Sequence, residues 1–175
     1  MKYNIVLFTR FGFAQTTEEF FKLSDTFFKE NVSHGKVDYS KIHEKPESLN
    51  ILTDLAALVS VSKTNDKVYQ AFWINAYNIF VIKGIINNYP VKPPLDKAGF
   101  FDTTRYKVAG ESIGLNDIEN KKLREQFDDA RFHFVLVCGA IGCPPLISEA
   151  YKPKTLEYQL QRQTEIALND SNFIK

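Results

Sequence analysis

The stretch "VYQAFWINAYNIFVIKGIINNYP", Val68 to Pro90, restricts what this chain can fold into more than any other. Its helical span, from about Val68 to Asn88, is apolar nearly all the way round, and a helix without a polar face must be covered on several sides. The rest of the chain therefore has to be built around it. Asn75 and Asn78 lie three apart and share one face of that helix. Asparagine is a mediocre helix former, and a buried amide left without partners costs about 1–3 kcal/mol. Both side chains are expected to bond irregular backbone, that of the "CGAIGCPP" corner or the "FFDTT" loop, or to support a site directly. Trp73 and Tyr77, four apart, form a second face and are expected in the core.

The material to cover such a helix is present. Hydrophobic residues make up 44% of the 175, with 15 Phe and 8 Tyr, enough for one domain with a sizeable core. The 22 basic and 21 acidic side chains nearly cancel and form no long run, so nothing indicates nucleic acid or an anionic membrane as partner. No segment reaches the roughly 20 apolar residues of a membrane span. The opening "MKYNIVLFTRFGFAQ" has a lysine, an apolar centre and a small residue at Ala14, and reads as a signal peptide over residues 1–15 cleaved near Ala14 or Gln15. Arg10 interrupts that centre, and an ordinary N-terminal strand or helix is the competing reading. Cleavage would make the protein periplasmic or secreted; otherwise it stays in the cytoplasm. Residues 16–175 form a single domain on either reading.

Local patterns fill in the remainder. "TTEEFFKLSDTFFKENV" repeats Phe20, Phe21, Leu23, Phe27 and Phe28 at helical spacing, with Thr16 or Thr17 as cap. "SHGKVDYSKI" reads as a turn with a short extended piece, and "SLNILTDLAALVSV" as a helix begun at Ser48 or Asn50. "TTRYKVAGESIGL" is a hairpin turning at Gly110. In "LNDIENKKLREQF" Asn116 and Glu119 have the spacing of a capping box. The apolar run from about Phe132 to Cys138 reads as a strand in the middle of a sheet.

Four blocks, "AFWINAYN", "VAGESIGLNDIENKKLR", "RFHFVLVCGAIGCPPL" and "YKPKTLEYQLQ", in this order and spacing, resemble the family known as domain of unknown function 547, over roughly Val37 to the end. Members are thought to be similar to papain-like and transglutaminase-like cysteine enzymes, with a Cys, a His and a carboxylate as the proposed site. The resemblance implies an α+β (or α/β) fold in which a helix-rich N-terminal half packs on a small mixed sheet. It also implies a chain that continues past "NDSNFIK", so that this one is C-terminally truncated.

The chemistry concentrates in "HFVLVCGAIGCPPL". Side chains alternate along a strand, so Cys138 should point away from His133, leaving Cys143 to return along the strand and meet the imidazole. Gly139 and Gly142 would permit the reversal, and Pro144 suits the first turn of a helix that would place the Cys143 sulfur at its N-terminus and favour thiolate. Two free thiols are expected. Cys143 would be the nucleophile, His133 the base, Glu119 or Asp117 the orienting carboxylate, and backbone amides near Gly142 and Cys143 the oxyanion donors. That arrangement suits a cysteine-dependent hydrolase or acyl-transferase acting on an amide or thioester of a peptide or small molecule. The alternative is a non-catalytic binding domain of the cell envelope in which the same residues are core and corner. No cofactor is indicated, and two cysteines with one nearby histidine do not make a closed zinc site. His34 and His43 fall in polar segments and are expected at the surface.

Overall fold

A computed structural model describes residues 4–90, 98–139 and 143–170, with side chains from Thr16 onward. The fold is α+β, rich in helix, with two small antiparallel sheets. Helix α1 spans Asn4–Asn31 and runs unbroken through the expected cleavage point. The side chains of the leader, residues 1–15, lie outside the described ones. A hairpin follows, β1 (Val32–Ser33) against β2 (Lys36–Val37), and then α2 (Tyr39–Glu44) and α3 (Glu47–Leu58). Helix α2 starts where the Asp38 carboxylate accepts from Lys41 N at 3.0 Å, a side-chain cap that the short pattern "DYSK" did not bring out.

The central helix, α4, spans Asp66–Ile86 and is capped by Asn65, whose side chain accepts from Val68 N. Every residue from Tyr69 to Ile82 is buried, as its all-round apolarity requires. Helix α3 packs on it, α1 packs on α3, and α2 closes one side. Gly84 is the point of closest approach: a Cβ there would stand 2.7 Å from both the Phe100 ring and the Tyr106 hydroxyl. Trp73 and Tyr77 are both core residues, 1% and 2% exposed.

The expected hairpin forms from β3 (Tyr106–Val108) and β4 (Glu111–Ile113), its turn docked on α3 through Ala109 N to Ala56 O at 2.8 Å and Gly110 N to Ala57 O at 3.0 Å. The two sheets are separate two-stranded hairpins, not one mixed sheet. Beyond them a short α5 (Leu115–Asp117) runs into a π-helical segment, Ile118–Arg124. Asn116 does not cap this helix. Gly114 holds that position, and the Asn116 amide instead donates to the Asp102 carboxylate.

The expected strand over Phe132–Cys138 does not form. Residues Ala130–Phe134 make a 3-10 helix, started by the Asp129 carboxylate accepting from Arg131 N at 2.9 Å. The residues after it are buried without a strand neighbour, because a side chain supplies the pairing: Asn78 donates to Val135 O at 2.9 Å and accepts from Val137 N at 3.0 Å. A continuous apolar run meets its burial requirement this way as well as in a sheet. The last helix, α6 (Leu156–Asn169), packs on the 3-10 segment.

Candidate functional site

Helix α4 organises the site from underneath. Its two asparagines, both 0% exposed, each clamp a stretch of irregular backbone. Asn78 takes Val135 and Val137, just before the cysteine corner. Asn75 donates to Tyr151 O at 2.8 Å and accepts from Tyr151 N at 2.9 Å, while also donating to Ala71 O in its own helix. Both amides are therefore buried and bonded to loop backbone, although the stretches they hold flank the "CGAIGCPP" corner and are not the corner itself.

Between those clamps Cys138 and Cys143 are joined in a disulfide, with Cα atoms 5.9 Å apart. The expectation of two free thiols is corrected here, and its basis explains the error. Strand alternation put Cys138 on the face away from His133, apart from a Cys143 that returned toward the ring, but the segment is not a strand, so the alternation does not apply. Five residues with glycines can close back on themselves. The residues after Cys143 are not helical, and no helix begins before Leu156, so the sulfur does not sit at a helix N-terminus. Gly142 and its amide lie outside the described residues.

Further along, the corner rests on the first hairpin. His34 and Gly35 form its turn, both with positive φ (50° and 76°), the pattern of a type I′ turn. Gly35 O accepts from Leu146 N at 3.3 Å, and Gln163 Nε2 donates to Pro145 O. His34 and His43 are exposed, as expected.

His133 lies on the outer side of the 3-10 helix, exposed, at the edge of a cleft of about 210 Å³ lined by Arg124, Phe127, Asp128, Asp129 and Ala130. Glu119 or Asp117 is the carboxylate expected at one nitrogen of its ring. What stands there instead is the Arg124 guanidinium, with Nη2 3.5 Å from Nδ1. Glu119 sits behind the arginine, Oε1 2.8 Å from that same Nη2, and its other oxygen accepts from the Tyr77 hydroxyl at 3.3 Å. Burial, and then the Glu119 charge, push the Tyr77 phenol well above its ordinary range, so it stays a donor. Asp117, the other candidate carboxylate, is engaged by Arg105 and Lys121. In the same cleft, the Arg131 guanidinium beside Asp129 holds that carboxyl below its usual range.

The chemical consequence concerns the tautomer. A guanidinium only donates, so a neutral His133 ring that bonds it does so by accepting at Nδ1. A histidine base needs one ring nitrogen open to take the proton and the other held by an acceptor, and the guanidinium, a donor only, supplies no acceptor at Nδ1. Arg124 escaped notice because an ordinary helix places i+3 and i+4 neighbours beside Glu119, namely Lys122 and Leu123. The π-helical segment, in which Glu125 N bonds Asn120 O at 2.8 Å, moves the i+5 residue there instead. No sequence pattern read here marks that change of pitch. Among the described residues no three His, Cys, Asp or Glu side chains are grouped closely enough to hold a metal ion, and no helix is long and apolar enough to cross a membrane.

Fold and site thus define an α+β domain with a disulfide-closed corner flanked by two asparagine-clamped stretches. The chain belongs to the family described as protein of unknown function, DUF547, whose model matches residues 61–166. That range opens just before α4 and ends inside α6, so it takes in both asparagines, Glu119, Arg124, His133 and both cysteines. No curated protein and no solved structure matches the chain. The papain-like or transglutaminase-like relationship implied by the resemblance is not shown by these comparisons.

Proposed function

We propose that this chain is a non-catalytic binding domain of the cell envelope, its corner a structural feature and not a nucleophile's seat. The observation that carries the reading is the Cys138–Cys143 disulfide: a sulfur bonded to sulfur has no thiolate with which to attack a carbonyl. Persistent disulfides belong to oxidising compartments, which supports export and the reading of residues 1–15 as a leader. Arg124 at Nδ1 of His133 points the same way, since a donor stands where an orienting carboxylate was expected.

A second reading keeps the cysteine-dependent hydrolase or acyl-transferase, with the disulfide as its resting form and Cys143, His133 and Glu119 as its residues once reduced. What favours it is the continuous line Tyr77–Glu119–Arg124–His133, which sets a carboxylate one residue removed from the ring, across the arginine. A panel of thioester and amide substrates, assayed on oxidised protein, reduced protein and the Cys143→Ser variant, separates the two. The binding-domain reading expects no turnover above background in any state. Turnover that appears on reduction and vanishes in Cys143→Ser would overturn it and establish the second.

A further inference from the structure

A second cleft, of about 300 Å³, lies between the β3–β4 hairpin and the π-helical segment, away from the cysteines. Four cations line it, Lys63, Arg105, Lys121 and Lys122, with only two carboxylates, Glu111 and Asp117. This one concavity carries an excess of two positive charges, more than the net +1 of the whole chain.

The pairing identifies where the excess resides. Lys122 is matched by Glu111 at 2.5 Å. Asp117, however, serves two cations at once, Lys121 at 2.9 Å and Arg105 at 2.6 Å, and those two together hold its carboxyl below the ordinary range. Lys63 has a neutral partner, the Gln126 amide oxygen. One charge is thus uncompensated at the shared aspartate and another at Lys63, both on the rim of the same cleft. Arg105 is fixed in orientation by a further bond from Nη2 to Ser112 O at 3.0 Å, so its fork is already ordered before anything binds. An excess of cations on a concave surface focuses a field that raises the local concentration of anions.

We propose that this cleft binds a doubly charged tetrahedral oxyanion, the phosphate of a small phosphomonoester, with Lys63, Lys121 and Arg105 as its contacts. The volume admits a phosphate with a sugar-sized group attached. The proposal does not depend on the redox state of the corner, and it stands under either reading of the cysteines.

The chain contains its own reporter. Trp73 is the only tryptophan, and the Lys122 ammonium stands 5.1 Å from its ring centroid. An anion entering beside Lys121 draws on Lys122 as well and changes the indole emission. The test is a Trp73 fluorescence titration of the full chain with inorganic phosphate and with a simple phosphomonoester, ionic strength being held with chloride. The expected result is a saturable change for both probes, tighter for the ester, with acetate at least tenfold weaker and the exposed-site double variant Lys63→Gln/Lys121→Gln at least tenfold weaker still. Tighter binding of the free ion would assign the site to phosphate itself, the same chemistry from the other source. A change that never saturates, or one identical in the double variant, would overturn the proposal.

Discussion

Two stretches of irregular backbone rest on the same face of α4, and they are secured by different means. At Ala150–Tyr151 side chains do all of it. Asn75 takes both the N–H and the carbonyl of Tyr151, Gln159 Nε2 donates to Ala150 O at 2.8 Å, and the Asp25 carboxylate accepts from Ala150 N at 3.1 Å. At Val135–Val137 a single amide, Asn78, is followed at once by a covalent staple. Both stretches are buried, Ala150 0% and Tyr151 1% exposed, Val135 1% and Val137 5%, but the second leads straight into Cys138 and Gly139, which are only half-buried. The difference teaches where each device suits. A backbone sealed from water needs every polar group paired, and amides do that. A corner that reaches the surface can leave some groups to solvent and be held by one covalent bond.

That contrast is open to attack by substitution. Asn75→Leu leaves both polar groups of Tyr151 stranded in the core, and at about 1–3 kcal/mol for each the expected loss is about 2–6 kcal/mol in chemical denaturation. Asn78→Leu also strands two buried groups, Val135 O and Val137 N, for a loss of up to about 2–6 kcal/mol, and it should fall below that of Asn75→Leu by what the adjoining half-buried corner recovers on relaxing toward water. Equal losses would show that the two stretches are equally sealed.

A finer probe comes from the two hairpin turns, which share a backbone conformation but not surroundings. Gly35 and Gly110 have φ of 76° and 77°. A Cβ on Gly110 would meet nothing within 4 Å, so Gly110→Ala registers conformational strain alone, about 1 kcal/mol. A Cβ on Gly35 would lie 2.6 Å from Pro145 Cβ, and Pro145 is held from behind by Gln163. Gly35→Ala should therefore cost measurably more than Gly110→Ala in parallel thermal melts. A matching cost would mean that the corner does not bear on the first hairpin.

Much of this was legible before any coordinates. An all-round apolar helix with two asparagines on one face announces both a central helix and irregular backbone to pair with them, because burial leaves the amides no other partner. The Gly110 hairpin was legible because its turn chemistry is local. The corner was not, for two physical reasons. The run "FHFVLV" satisfies the burial pattern of a central strand, yet a side-chain amide replaced the neighbouring strand, and with the strand went the alternation that separated Cys138 from Cys143. Glu119 was paired with His133 from its place in the "NDIEN" block, whereas the π-helical segment turned Arg124 toward it and put the guanidinium between carboxylate and imidazole.

The central claim is that the Cys138–Cys143 bond closes the corner and removes Cys143 from nucleophilic chemistry. The most direct test is thiol trapping: native protein exposed to iodoacetamide at neutral pH, with and without prior reduction, then digested and read by mass spectrometry. The account predicts no adduct on the unreduced protein, a peptide linking Cys138 to Cys143, and labelling of both cysteines only after reduction. Rapid carbamidomethylation of Cys143 in native, unreduced protein would contradict it.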